Sequence, residues 1–214
     1  MSFRPRANHP YARAPRLPDD GDVPIRSLFA AAPSDALIEI EIGPGRGGFL
    51  FERAVARPEA LLLAFEIRLK WAALVDERLA ARGLGGRARV INADAREALA
   101  RLTPAACVDV AYLHFPDPWW KKRHAKRLVM SERLLAGIAR LLRVGGELFV
   151  QTDVEDRAAE YEAQIAAHAA FEPAGDAPGA ARMAANPYGA RSPREIHAIA
   201  DGLPIHRVRF RRAA

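Results

Sequence analysis

The chain has 214 residues, half of them hydrophobic, with one cysteine and 32 Lys and Arg against 26 Asp and Glu, a formal net charge of +6. This suits one domain of generous size, or one with a small appendage, and excludes an intrachain disulfide, a Cys/His zinc site and a membrane-spanning or signal segment. A reducing cytoplasm, no membrane and no metal are therefore expected, and the basic balance permits a polyanionic partner without requiring one.

Residues 1–24, rich in Pro, Arg and Asp and without a hydrophobic period, predict a flexible basic arm lying over the surface or partly disordered, with a single domain over 25–214. Regular patterning starts with a strand over Leu37–Ile42, a Gly-rich turn and a helix near Gly48–Ala56. A second strand over Ala60–Phe65 precedes a helix over Lys70–Arg82, and a third over Ala88–Asn92 precedes a short helix at Ala95–Arg101. Cys107 opens the apolar run of the fourth strand, Val108–His114, and reads as a small core residue. An amphipathic helix over Ser131–Leu142 carries Leu134, Leu135, Ile138, Leu141 and Leu142 on one face. Gly145-Gly146 is read as a turn into a fifth strand, Glu147–Thr152, followed by a helix over Val154–Ala167. Residues 172–190 read as loop, Ser192–Ala200 as helix, and Ile205–Phe210 as a last strand near a sheet edge. Strands alternating with helices predict an α/β, Rossmann-like fold: a mostly parallel sheet with helices on both faces.

The chemistry-bearing residues fall at the strand ends, where such sheets bind ligands. Gly43, Gly45 and Gly47 form a G-x-G-x-G turn after the first strand, where backbone and ligand can approach closely. A Gly-rich turn alone is a weak signal, but acids accompany it. Glu66 ends the second strand, where a carboxylate can accept from both ribose hydroxyls; Asp94 follows the third and can meet an adenine edge; Glu41 precedes the turn and can face a cationic group. That crowd of negative charge disfavours a pyrophosphate cofactor. It suits S-adenosylmethionine, which has no phosphate and carries a sulfonium and an ammonium.

After the fourth strand comes Phe115-Pro116-Asp117-Pro118-Trp119-Trp120-Lys121, then Arg123-His124-Ala125-Lys126-Arg127. An acid held between two prolines, aromatic faces and a dense basic run suggest chemistry on a nucleobase within a nucleic acid. Two alternatives stay open: the basic run as a solvated helix face, and Trp119 as a packing residue instead of a stacking one. Ser192-Pro193-Arg194-Glu195 reads equally as a helix capping box with Pro at the first helical position.

Together with Thr152-Asp153, these motifs resemble the tRNA (guanine-N7-)-methyltransferase family, whose members carry E-I-G-x-G-x-G, F-P-D-P-W-x-K, R-H-x-K-R and T-D. The resemblance covers about residues 37–160, and the F-P-D-P-W-x-K motif is its specific part. It implies a class I methyltransferase fold with a seven-stranded sheet, S-adenosylmethionine as cofactor, tRNA as partner, and guanine N7 at position 46 of the variable loop as the methyl acceptor. It further implies Asp117 as the catalytic residue and Glu41, Gly43, Gly45, Gly47, Glu66 and Asp94 as the cofactor site. Lys121, Arg123, Lys126, Arg127, Asp153, Ser192 and Glu195 would bind the substrate. The family's T-K-x-E motif corresponds here to Ser192–Glu195, with Pro193 in place of the Lys, which puts substrate affinity and the choice of guanine in question.

Three other readings compete. A noncatalytic RNA-binding protein on the same fold gains from the change at Pro193 but has no use for Glu41, Glu66 and Asp94. A methyltransferase for a small molecule or protein has no use for the basic run. A nicotinamide oxidoreductase ranks last, for want of a Tyr/Lys or His catalytic pair. The oligomeric state, monomer or homodimer, is left open because no hydrophobic seam is evident.

Overall fold

The structure, a computed structural model, describes residues 8–30, 32–117 and 129–214. In chain order the elements are β1 (Val23–Pro24), a 3-10 turn (Ile25–Leu28), β2 (Ile38–Ile42), α1 (Gly48–Ala56), β3 (Leu61–Glu66), α2 (Leu69–Ala81), β4 (Ala88–Asn92), α3 (Ala95–Arg101), β5 (Leu102–Thr103) and β6 (Val108–His114). They continue with α4 (Glu132–Leu141), β7 (Leu142–Thr152), α5 (Glu155–Ala166), β8 (Phe171–Pro173), β9 (Arg182–Met183), α6 (Pro193–Ala200) and β10 (His206–Arg212). The main sheet runs β4-β3-β2-β6-β7-β10-β8, with β9 also paired to β10. The β4, β3, β2, β6 and β7 strands are mutually parallel, and β10 is antiparallel to each of its partners.

From β2 the chain winds outward through β3 to β4, then returns to the other side of β2 as β6. The strand order therefore reverses between β2 and β6, and sheets of this kind bind ligands in a crevice at the carboxyl ends of such a strand pair. Helices cover both faces. Ile38, Ile40 and Ile42 of β2 pack with Leu63 and Phe65 of β3 against residues of α3, α4 and α5. On the opposite face Leu62 and Ala64 of β3 meet Leu50 and Ala54 of α1 and Ala72, Val75 and Leu79 of α2.

The expected elements form, with three differences. Strand β7 begins at Leu142, directly after α4, and Gly145-Gly146 lies inside it: the register with β6 slips between Val108 and Val110, so the glycines sit in a bulge instead of a preceding turn. The segment read as loop over 172–190 contains β8 and β9, three and two residues long. Such pieces are too short to leave a period in the sequence. Strand β10 lies near the sheet edge as expected, between β7 and the short edge strand β8. Of the arm expected over 1–24, residues 8–24 lie against the domain. Ala14 and Val23 are buried, Asn92 N donates to the Pro15 carbonyl at 2.7 Å, and Arg13 pairs with Glu77 at 2.7 Å. Packing thus begins before residue 25. Among the described residues no helix is long and apolar enough to cross a membrane, and no cluster of His, Cys, Asp and Glu could hold a metal ion.

The alternation of β2, Ile-Glu-Ile-Glu-Ile, looks half-exposed, yet every residue of it is buried. Glu39, 2% exposed, therefore needs a counter-charge inside the protein. Arg53 of α1 supplies it in a fork, Nε to Oε2 at 2.7 Å and Nη2 to Oε1 at 2.6 Å, while Tyr112 Oη donates to Oε2 at 2.9 Å. Burial alone would lower the Arg53 pKa; the Glu39 carboxylate and Tyr112 outweigh it and raise the value. Arg53 also donates to the Tyr188 carbonyl, so one guanidinium ties β2, α1 and the loop before α6 together. Arg53→Met should cost about 3–5 kcal/mol by leaving Glu39 buried and unpaired. Urea unfolding followed by circular dichroism measures this, and Glu39→Gln combined with Arg53→Met should recover much of the loss.

Candidate active site

At the carboxyl end of β2 the Gly turn is held by backbone bonds, Gly43 N to the Phe65 carbonyl at 2.9 Å and Gly47 N to the Pro44 carbonyl at 2.8 Å. Gly47 caps α1 with φ of 77°, and a Cβ there would lie 2.3 Å from Val75 Cγ1, so only glycine fits between turn and α2. Glu66, at the end of β3, accepts from Gly45 N at 3.0 Å through Oε2 and from Arg68 N at 2.8 Å through Oε1. Asn92 of β4 donates to the carbonyls of Glu66 and Ile67 at 2.9 and 3.1 Å and fixes that strand end. Ile67, beside Glu66, is 65% exposed, an apolar side chain at the mouth of the crevice. Asp94 caps α3, accepting from Arg96 N at 3.0 Å and pairing with Arg96 Nη2 at 2.6 Å. The Arg96 side chain, first among its causes, holds the Asp94 carboxyl below its ordinary pKa against the opposing effect of burial.

A second group crosses the sheet on the face of α1. Glu41 of β2, His114 of β6, Gln151 of β7 and Arg207 of β10 stand side by side on adjacent strands; His114 pairs with Gln151 and Gln151 with Arg207 in register. His114 Nδ1 lies 2.9 Å from Glu41 Oε1, and its ring centroid is 4.2 Å from that of Phe49. Glu195 of α6, 1% exposed, accepts from Gln151 Nε2 at 3.0 Å, Asn186 Nδ2 at 2.9 Å and Arg207 Nη2 at 3.0 Å. Both its oxygens are thus taken by protein donors, and its carboxylate organises this row instead of standing open to a base. Glu41 Oε2, His114 Nε2 and Gln151 Oε1 are buried without a protein partner. Ser192 is the cap of α6, its Oγ accepting from Glu195 N at 3.1 Å, so the capping reading of Ser-x-x-Glu holds for the serine. Pro193 sits against Gly48: a Cβ on Gly48 would come within 2.4 Å of Pro193 Cγ. The proline that departs from the family pattern therefore packs α6 onto the start of α1.

Strand β6 delivers Asp117. Phe115 follows His114 with φ of 44°, left-handed backbone that costs a non-glycine residue roughly 1–2 kcal/mol, and its N donates to the Gln151 carbonyl at 2.7 Å. The bend turns Pro116 and Asp117 outward, and Asp117 is exposed, with no hydrogen bond or ion pair among the described residues. It lies near enough to Tyr161 of α5 for its charge to join burial, the main cause, in pushing that phenol up to about 12. Asp153, after β7, pairs with Arg194 of α6, Nε to Oδ2 at 3.0 Å. Lys121, Arg123, Lys126, Arg127 and the two tryptophans before them lie outside the described residues.

The structure therefore brings Glu41, Gly43, Gly45, Gly47, Glu66, Asp94, Asp117, Asp153, Ser192 and Glu195 to the carboxyl ends of the parallel strands and the helix beside them. Sequence reasoning missed His114, Gln151 and Ile67. The first two are interior strand residues whose polarity is matched only across neighbouring strands, so no local pattern signals them. Ile67, an apolar residue next to a strand-end acid, left a signal that was not read.

Residues 35–207 match a family model described as "Putative methyltransferase". A tRNA (guanine-N(7)-)-methyltransferase of Anaeromyxobacter dehalogenans is 39% identical over 177 residues, 82% of this chain and 86% of that protein. One from Rhodopirellula baltica is 33% identical over 204 residues, 92% of this chain and 73% of that protein. Among solved structures, the 16S rRNA methyltransferase KamB matches with a TM-score of 0.59 at 18% identity, over 89% of this chain and 91% of that one, a likeness of fold. By these matches the chain belongs to the tRNA (guanine-N(7)-)-methyltransferase family.

Proposed function

We propose that this protein methylates N7 of a guanine in tRNA, at the variable-loop position 46 that the family resemblance implies, with S-adenosylmethionine as donor. The observation that carries the reading is the exposed carboxylate of Asp117, without a hydrogen bond or ion pair among the described residues, across the switch point from the Gly turn and Glu66. The donor set fits the cofactor. Glu41 Oε2 is a buried carboxylate oxygen without a protein donor, which costs free energy unless a cation or N–H reaches it. An ammonium is such a partner, and a pyrophosphate is repelled. Glu66 would hold the ribose hydroxyls, Asp94 the adenine amino group and Ile67 one side of the ring, with Gly43, Gly45 and Gly47 letting the ligand lie close to the backbone. When bound, S-adenosylmethionine supplies an electrophilic methyl group on its sulfonium.

Guanine N7 carries a free lone pair in the ring plane, so no proton has to leave before attack and no strong base is needed. What the chain must provide is alignment and a negative charge beside the ring as it becomes cationic. Asp117 is assigned that charge and acceptance of hydrogen bonds from the guanine edge. Its exposure, and the strained bend at Phe115 that turns it out, suit a group whose partner arrives with the substrate. Asp153, held by Arg194, is assigned the Watson–Crick edge. Ser192 and Glu195 support it from α6 by fixing Gln151 and Arg207. Lys121, Arg123, Lys126 and Arg127 are assigned to RNA phosphates, contacts that add affinity and salt dependence but no base specificity.

Transfer of a tritiated methyl group to unmodified bulk tRNA, with 7-methylguanine mapped by chemical cleavage, tests the reading. One labelled variable-loop site is the expected outcome, and measurable cofactor binding without transfer would overturn it. Asp117→Ala should lower kcat by about 100-fold or more with S-adenosylmethionine binding unchanged; near-normal turnover would remove Asp117 from the mechanism. Glu66→Ala should weaken S-adenosylmethionine binding about 10- to 100-fold, the worth of hydrogen bonds to a charged acceptor, as read by calorimetry.

A further inference from the structure

From the Gly turn a band of cations runs along α2 over aromatic rings. The Arg46 guanidinium lies 5.2 Å and the Lys70 ammonium 5.3 Å from the Trp71 ring centroid. The Arg78 and Arg82 guanidiniums lie 4.9 and 4.5 Å from that of Phe51 on α1. At 3.6 residues per turn, Trp71, Arg78 and Arg82 share one face of α2 and its C-terminal cap, and span about 16 Å. All four cations are exposed, and none has an ion-pair partner among the described residues. The acids that could neutralise them are committed elsewhere: Asp76 to Arg89 at 2.9 Å, Glu77 to Arg13 at 2.7 Å and Glu66 to Arg68. This differs from the arginines of β10, where Arg207, Arg209 and Arg211 all answer to Glu195 or Glu147.

We propose that this band is a second RNA-binding surface, which takes the sugar-phosphate backbone of the tRNA beyond the methylated nucleotide. The inference rests on the tRNA reading above and deepens it. Like charges crowded on one helix face repel one another, and here no acid relieves the repulsion, so a polyanion gains by covering them. The ring faces hold the guanidiniums in place, which lowers the ordering cost of binding phosphates. Arg78 Nη1 also donates to the Arg46 carbonyl at 3.5 Å, so the band is continuous with the rim of the crevice. Cations interleaved with aromatic side chains are the pattern that binds a nucleic-acid strand without reading its bases. The band starts at Arg46, inside the Gly turn, so RNA seated on it is already at the mouth of the catalytic crevice.

The test is fluorescence-anisotropy binding of labelled unmodified tRNA to the full chain over a salt series, alongside methyl transfer. Arg78→Gln with Arg82→Gln should weaken binding about tenfold and lower the slope of log affinity against log salt by about two, one for each phosphate that is no longer neutralised. S-adenosylmethionine affinity should stay the same, and KM for tRNA should rise while kcat at saturation holds. Arg78→Lys with Arg82→Lys should restore affinity and slope. Lys70→Gln, at an exposed position, should lower the slope by about one, and decides the matter if the double variant folds poorly. Unchanged affinity and slope in these variants would overturn the proposal, as would a loss confined to binding of polyglutamate, which would mark a site for an acidic protein. Wild-type protein that binds tRNA through the band but transfers no methyl group would sink the catalytic reading and leave this one standing.

Discussion

A carboxylate inside a sheet has to be given donors, and β2 at the centre of this one carries two. Glu39 draws Arg53 out of α1 and Tyr112 out of β6; Glu41 draws His114. These bonds set how α1 lies on the sheet and how β2 and β6 face each other. The crevice between the carboxyl ends of those two strands inherits their spacing. The same face continues through Gln151 to Glu195 and Arg207, so α6 is tied to the row that begins under the Gly turn. The packing of Pro193 on Gly48 closes the circuit from the other side.

Within that frame the acids divide by whether the protein satisfies them. Glu195, Asp94 and Glu66 hold donors from their own chain, and Glu41 is half satisfied, with one oxygen on His114. Asp117 stands open. Glu41 and Glu66 at strand ends, Asp94 at the cap of α3 and Glu195 on α6 all lie within reach of donors from their own or adjoining elements, whereas Asp117 leaves the sheet after the left-handed bend at Phe115. The cations divide likewise. Arg207, Arg209 and Arg211 of β10 neutralise Glu195 of α6 and Glu147 of β7, and those along α2 have no ion-pair partner among the described residues.

Much of the fold was legible in the sequence because most elements are long and periodic. Helices α1 and α3 and strands β4 and β6 begin and end where the periodicity places them. Strands β8 and β9 were not, because two or three residues carry no period and pair only when β10 arrives from far along the chain. Gly145-Gly146 was read as a turn since a glycine pair is the usual sign of one, and only the register with β6 shows a bulge. Of the site, the glycines and strand-end acids could be found by position alone. The engagement of Glu195 by Gln151, Asn186 and Arg207 could not, since its partners come from three separate stretches of chain.

The sequence by itself determined the alternation of strands and helices, the acids at the ends of successive strands and the F-P-D-P-W-x-K motif, because these depend on local spacing and residue chemistry. Only the tertiary structure decided which of those groups remain open to a ligand. Whether Glu41, Glu195 or Arg78 is satisfied depends on side chains brought up from distant positions, and burial makes every unmatched charge or hydrogen-bonding atom costly. The sequence shows which residues are charged; the fold sets which of those charges are left for a partner to answer.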